Sequence, residues 1–209
     1  MYCPRRFALL AINRDWIENA FVVAANLMHE RVHSSEHNFS NKNKIVKSAV
    51  SIYNDDPELD IFGVADCIEF ERSLRGTFVP ELDDYFSIKV IEYKPKAPKG
   101  GGFHETDAIQ VFAQKMCIDY IWKCECECYI YYSDIRRRIK LPFDTERDKY
   151  YKILMDQLKN MRYILSNIII PDIKRGQRCS GCSIGDVCFS KSNEYNVRSI
   201  IMSMEGKDV

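Results

Sequence analysis

Two stretches decide the fold: residues 61–71, IFGVADCIEFE, and residues 86–94, FSIKVIEYK. Both are rich in β-branched and aromatic residues, and both are bounded by turn residues, which predicts two strands. Side chains alternate along a strand, so Glu92 and Lys94 share a face, about 6.6–6.8 Å apart along the chain. If the two strands pair, Asp66 stands beside Glu92. Two carboxylates suit a hard divalent cation, and a lysine aimed at the same spot completes a set suited to phosphodiester hydrolysis. The bland alternative is ordinary charged residues near strand ends, because an acid plus E-x-K at loose spacing is common.

The remaining elements follow outward. Residues 16–33 predict a helix with Ile17, Ala20, Phe21, Ala24, Leu27 and Met28 on one face. Residues 34–44 read as a polar loop, and 45–53 as a strand with Val46, Val50 and Ile52 in phase. RSLRGTFVPELDD (72–84) reads as a turn-rich connection, and PKAPKGGGF (95–103) can continue neither strand nor helix. Helices are predicted over 104–122 and 145–167. The first carries Ile109, Phe112, Ala113, Met116 and Tyr120 on one side; the second carries Tyr151, Leu154, Met155, Leu158, Met161 and Leu165. Strands are predicted over 126–133 and 136–143. This order implies an α/β fold, a mixed sheet flanked by helices.

The 209 residues suit a single domain. Thirty basic residues cancel thirty acidic ones, which excludes a globally cationic nucleic-acid coat protein. Nucleic-acid contacts must then come from local groups: Lys96 and Lys99, Arg136, Arg137 and Arg138, and Lys174, Arg175 and Arg178. Tyr129 and Tyr131 are candidates for stacking on unpaired bases. No apolar run approaches the roughly 18–20 residues of a membrane span, and the first residues do not lead into a secretory segment. The expected compartment is the cytosol.

Nine cysteines are an odd count without an export signal, which favours reduced thiols or metal ligation. RCSGCSIGDVC (178–188) spaces Cys179, Cys182 and Cys188 as C-x2-C-x5-C, one ligand short of a full set. Cys3, flanked by Pro4 and basic residues, is the candidate fourth ligand. Spacing alone leaves zinc and iron–sulfur open. Cys124, Cys126 and Cys128 alternate on one face and, with Cys67 and Cys117, read as core or surface thiols. His29 lies on the flank of the first helix, where it can complete a metal site with the two carboxylates. His29-Glu30-Arg31-Val32-His33 also matches the short H-E-x-x-H pattern of zinc proteases, with no third-ligand motif after it.

Taken in order, the stretches YCPRRFALLAI, LMHERVH, GVADCIE, VIEYKPK, TDAIQVFAQKMC, IYYSDIRRRIKLPF and RCSGCSIGDVC resemble the CRISPR-associated protein four family. These are iron–sulfur exonucleases within the RecB-like, PD-(D/E)xK nuclease superfamily. The resemblance is strongest to the shorter bacterial members of subtype C and related type I systems. Two features depart from the family: only Met1 and Tyr2 precede the first cysteine, and Ala25-Asn26-Leu27-Met28 lacks a common glycine.

The resemblance implies a single RecB-like, restriction-endonuclease-type domain over 1–209, with an iron–sulfur module at Cys3 and the 179–188 loop. It implies His29, Asp66 and Glu92 as ligands of Mn2+ or Mg2+, with the backbone carbonyl of Tyr93, and Lys94 as catalytic lysine. Gln110 matches the glutamine of the family's helix motif. Cys3, Cys179, Cys182 and Cys188 match the ligands of a [4Fe–4S] cluster. The implied work is trimming DNA fragment ends (prespacers) before their insertion into a CRISPR array. The implied partners are DNA, single-stranded or overhang-bearing, and the CRISPR integrase with its small companion subunit. The rival readings are a non-catalytic DNA-binding or assembly subunit with a structural cluster, and the zinc metalloprotease.

Overall fold

The structure, a computed structural model, describes residues 3–15, 22–23, 26 and 38–188. The chain divides into two compact units, Ala24–Asn160 and Met1–Val23 with Met161–Val209.

The first unit is built on a six-stranded sheet, in the order β1 (Phe39–Ser40), β2 (Lys44–Asn54), β3 (Ile61–Val79), β4 (Asp84–Lys94), β5 (Glu127–Tyr132), β6 (Arg137–Lys140). Neighbouring strands are antiparallel except β4 and β5, which are parallel. A parallel pair needs a long crossover, and α2 (Glu105–Trp122) supplies it. Glu105 and Asp107 sit in its first turn, where the helix dipole favours acids. Lys123 ends it in the left-handed conformation (φ 49°).

One core holds Ile68 and Phe70 of β3, Ile88 and Val90 of β4, and Ile130 and Tyr132 of β5 with Ala108, Phe112 and Met116 of α2. Leu141 and Phe143, just past β6, join it. Phe112, Phe143 and Tyr150 form an aromatic cluster, with Phe143–Tyr150 centroids 4.8 Å apart. That cluster ties the start of α3 (Arg147–Ser166) to α2.

The sequence and the structure differ in several places. Strand β3 runs through RSLRGTFV, read above as connection. Arg72 and Thr77 both pair with Phe86, so Ser73 to Gly76 bulge out of the ladder and the true turn falls at Pro80–Leu82. Gly76, a turn signal in the sequence, belongs to this bulge. Residues 34–44, read as loop, contain β1. The predicted 136–143 strand ends at Lys140, two residues before Pro142, which has no donor for a ladder. In α3, Tyr150 and Leu154 are buried, and Ile164 takes the place expected of Leu165, which is exposed. The helix expected over 16–33 lies mostly outside the described residues; Val22, Val23 and Asn26 are helical.

The second unit begins with α1 (Pro4–Ala8), where Pro4 occupies a helix-starting position, and a π-helical turn over Leu9–Asn13. Neither was read from the sequence. Its C-terminal part has a short 3-10 turn, Gln177–Gly181, and α4 (Gly185–Cys188).

A Cβ at Gly76 runs into the carbonyl of Phe86, where only backbone can yield. Gly76→Val is expected to cost about 1–3 kcal/mol, read as a Tm lower by several degrees. Gly100→Ala, where a Cβ meets open space, should leave Tm unchanged.

Candidate active site

Strands β3 and β4 pair from Arg72↔Phe86 to Cys67↔Ile91. Beyond that point β3 stays with β2, through Val50↔Ala65 to Asn54↔Ile61, while β4 stays with β5 as far as Lys94↔Tyr132. The two strands therefore part at Asp66 and Glu92, the next positions in register. The Asp66 Oδ2 accepts the Tyr93 backbone N–H at 2.9 Å, so a side chain serves the donor where the ladder stops. Ala65 and Ile68 both reach the core although three apart, which strict alternation forbids, so β3 turns over at Asp66. Ala49 of β2, between the partners of Cys67 and Ala65, has φ 53° and kinks at the same level.

Asp66 is 4% exposed and Glu92 fully buried. Lys94 Nζ donates to Glu92 Oε1 at 2.8 Å and to Gln110 Oε1 at 2.9 Å. Gln110 Nε2 donates to Glu92 Oε1 at 2.6 Å. Gln114 Nε2 donates to Glu92 Oε2 at 2.8 Å. Gln110 and Gln114 are one helical turn apart on α2, so they reach the same carboxylate. Burial pushes the Glu92 carboxyl above its usual range; the Lys94 charge opposes this and the Asp66 charge adds to it. Burial works against the Lys94 ammonium, but the charge of Glu92 and its hydrogen bond outweigh it and hold Lys94 above its ordinary value.

Asp66, Glu92, Lys94 and Gln110 are thus brought together. Gln114 was not singled out from the sequence, although its i+4 spacing from Gln110 was a usable signal. His29, Glu30 and His33 lie outside the described residues, and with them the third carboxylate-site ligand and the H-E-x-x-H pattern. Among the described residues, no three His, Cys, Asp or Glu side chains are gathered closely enough to hold a metal ion.

Ser133 bonds back to Lys94 and Pro95, and both Asp134 oxygens accept the Ala97 N–H. These bonds hold the loop after Lys94 against the β5–β6 turn, so the exposed Lys96, Lys99, Arg136 and Arg137 share one end of the sheet with Lys94. Arg138, exposed like its neighbours, already has an acidic partner. It forms a two-pronged pair with buried Glu69, at 2.8 and 3.0 Å, and Lys44 adds a third contact at 2.8 Å. Burial alone raises the Glu69 pKa, yet these cations bring it below its usual value.

In the second unit, Cys3 caps α1, and Phe7 donates to its carbonyl at 3.0 Å. Arg6 reaches Ser183 Oγ at 3.2 Å, and Arg5 reaches the Pro171 carbonyl at 2.8 Å. Arg6 is three residues from Cys3 and Ser183 follows Cys182, so the two cysteine segments are tied together. Cys3, Cys179, Cys182 and Cys188 are half-buried free thiols, whereas Cys67, Cys117, Cys126 and Cys128 are buried. Burial pushes Cys67 up to about 12 and Cys117 to about 11, which marks them as inert core thiols.

Fold and site together define a mixed α/β protein with a buried acid pair and a lysine where two strands part. The chain is similar to a CRISPR-associated exonuclease Cas4/endonuclease Cas1 fusion from Geobacter sulfurreducens, at 24% identity over 195 residues. The match covers 90% of this chain but 32% of that protein's length, and it relates the chain to the Cas4 family. No family model matches the chain.

Asp66→Asn keeps an acceptor for Tyr93 while removing one of two neighbouring buried charges. Without metal its Tm is expected to rise by about 2–4 °C. Manganese should raise the wild-type Tm and leave that of the variant unmoved. A lower Tm, or an undiminished manganese shift, counts against a shared cation site.

Proposed function

We propose that the chain is a metal-dependent DNA nuclease of RecB-like architecture that trims the ends of DNA fragments before their insertion into a CRISPR array. The observation that carries this reading is the burial of Asp66 and Glu92 side by side, with Lys94 on Glu92. Two adjacent carboxylates are an oxygen donor set suited to a hard divalent cation. Asp66 and Glu92 would hold Mn2+ or Mg2+, with His29 and the Tyr93 carbonyl as further ligands. When bound, such a cation polarises a phosphate and lowers the pKa of water.

The chain's own groups do the positioning. Gln110 and Gln114 fix the two oxygens of Glu92, so its carboxylate cannot rotate away. Lys94 stays charged and sits where it can orient a water or offset charge on a phosphate. Lys96, Lys99, Arg136 and Arg137 offer phosphate contacts beside it. Cutting should require manganese or magnesium and stop on chelation. Lys94→Ala should lower the rate at least about a hundredfold with an unchanged circular dichroism spectrum; a wild-type rate would remove the mechanism.

Cys3, Cys179, Cys182 and Cys188 would hold a [4Fe–4S] cluster. Four free thiols in one compact unit, on segments joined by Arg6 and Ser183, suit a thiolate-ligated centre. Protein purified without air should contain iron and acid-labile sulfide. Cys182→Ala should lose both and destabilise the tail, whereas Cys126→Ala should keep both. Stoichiometric zinc in place of iron would overturn the cluster.

The Geobacter sulfurreducens relative is a fusion of an exonuclease and the Cas1 endonuclease in one chain. This supports a direct complex between the present chain and a CRISPR integrase with its small companion subunit. A chain of zero net charge has no long-range attraction to DNA, so the integrase would hold the fragment and set the cut position. Co-elution on size exclusion with an overhang-bearing duplex is expected, with a narrower range of cut positions in the complex. Separate elution with unchanged cutting would leave the nuclease without this partner.

A further inference from the structure

The Lys94 ammonium has three N–H donors. Glu92 Oε1 takes one at 2.8 Å and Gln110 Oε1 another at 2.9 Å. Glu92 is also its direct ion-pair partner. Two roles therefore meet on one carboxylate. A carboxylate that ligates a divalent cation gives its charge to the cation, and a lysine beside it then faces a positive centre. To stay in place, Lys94 needs a second anion on the side away from Asp66.

Asp107 is set there by two anchors on α2. At the helix start the His104 N–H donates to the Tyr132 hydroxyl at 3.4 Å. Tyr132 is fully buried and pairs in register with Lys94. Further along, Gln110 holds Lys94 itself. Asp107 lies between these anchors, and its N–H donates to the His104 carbonyl at 3.0 Å. It shares a helix face with Gln110 and Gln114. Tyr132 belongs to β5, which flanks β4 on the side opposite to β3, the strand of Asp66. Asp107 is half-buried, where solvent screens a charge less than at an open surface. Burial works against the Lys94 ammonium; Glu92 favours it most, and Asp107 follows, ahead of Asp66.

We infer that Asp107 is a positioning residue that holds the Lys94 ammonium from the β5 side, so that Lys94 keeps its place when Glu92 serves a cation. Asp107 acts through Lys94. The inference rests on the nuclease reading and adds to it a carboxylate outside the ligand set.

The test is a double-mutant cycle in the full chain, Asp107→Asn with Lys94→Met, read in two ways. The first is cutting of an overhang-bearing duplex with manganese. Asp107→Asn is expected to lower kcat about tenfold with KM unchanged, and Asp107→Glu to recover most of that loss. In the Lys94→Met background, Asp107→Asn should lower kcat no further. The second is thermal unfolding without metal or DNA. Asp107→Asn is expected to lower Tm by about 2–4 °C, and not to lower it once Lys94→Met is present. Additive losses by either reading, or a wild-type kcat in Asp107→Asn, overturn the inference and leave the nuclease standing. A wild-type chain that cuts no DNA removes the nuclease reading. A coupled Tm then keeps Asp107 as the residue that holds Lys94, and an additive Tm overturns that as well.

Discussion

The candidate site depends on keeping one carboxylate, Glu92, in a place where water does not reach it. A buried charge is tolerated only when paired and hydrogen-bonded. Lys94 and Gln110 serve one oxygen and Gln114 the other. That requirement fixes the relation of β4 to α2. It also depends on β3 and β4 separating, because Asp66 meets the Tyr93 N–H only where the ladder has ended. The kink at Ala49 and the change of facing at Asp66 accompany this separation.

Two buried acids on β3 show how different a carboxylate's circumstances can be within one strand. Glu69 is answered by Arg138 and Lys44 together, and these cations hold its pKa low. It is a satisfied structural acid. Asp66 lies beside buried Glu92, whose pKa is driven up by burial and by the Asp66 charge, against the charge of Lys94. The balance between burial and pairing separates the two cases.

The cysteines divide along similar lines. Four, Cys67, Cys117, Cys126 and Cys128, are buried. Of the five half-buried cysteines, Cys124 lies in the sheet unit and Cys3, Cys179, Cys182 and Cys188 lie in the unit that contains α1 and the 179–188 loop. Neither set forms disulfides. The Arg6–Ser183 bond joins segments 177 residues apart in sequence, and Arg5 adds a second link to Pro171.

By itself the sequence determined the strands around Asp66 and Glu92, both long helices and the shared face of Glu92 and Lys94. Those features follow from local periodicity, which is a property of neighbours in the chain. It did not reveal that SLRG (73–76) is a bulge within a strand, because a glycine serves a turn and a close strand-to-strand approach equally well. Nor did it separate Arg138, which is paired with Glu69, from the arginines beside it, since that partner is 69 residues away. Gln114 was legible as a spacing but not as a contact. Which groups end up paired, and which are left with a deficit of partners, is a matter of long-range packing. Only the tertiary structure decided it, because burial and charge balance depend on residues that the sequence leaves far apart.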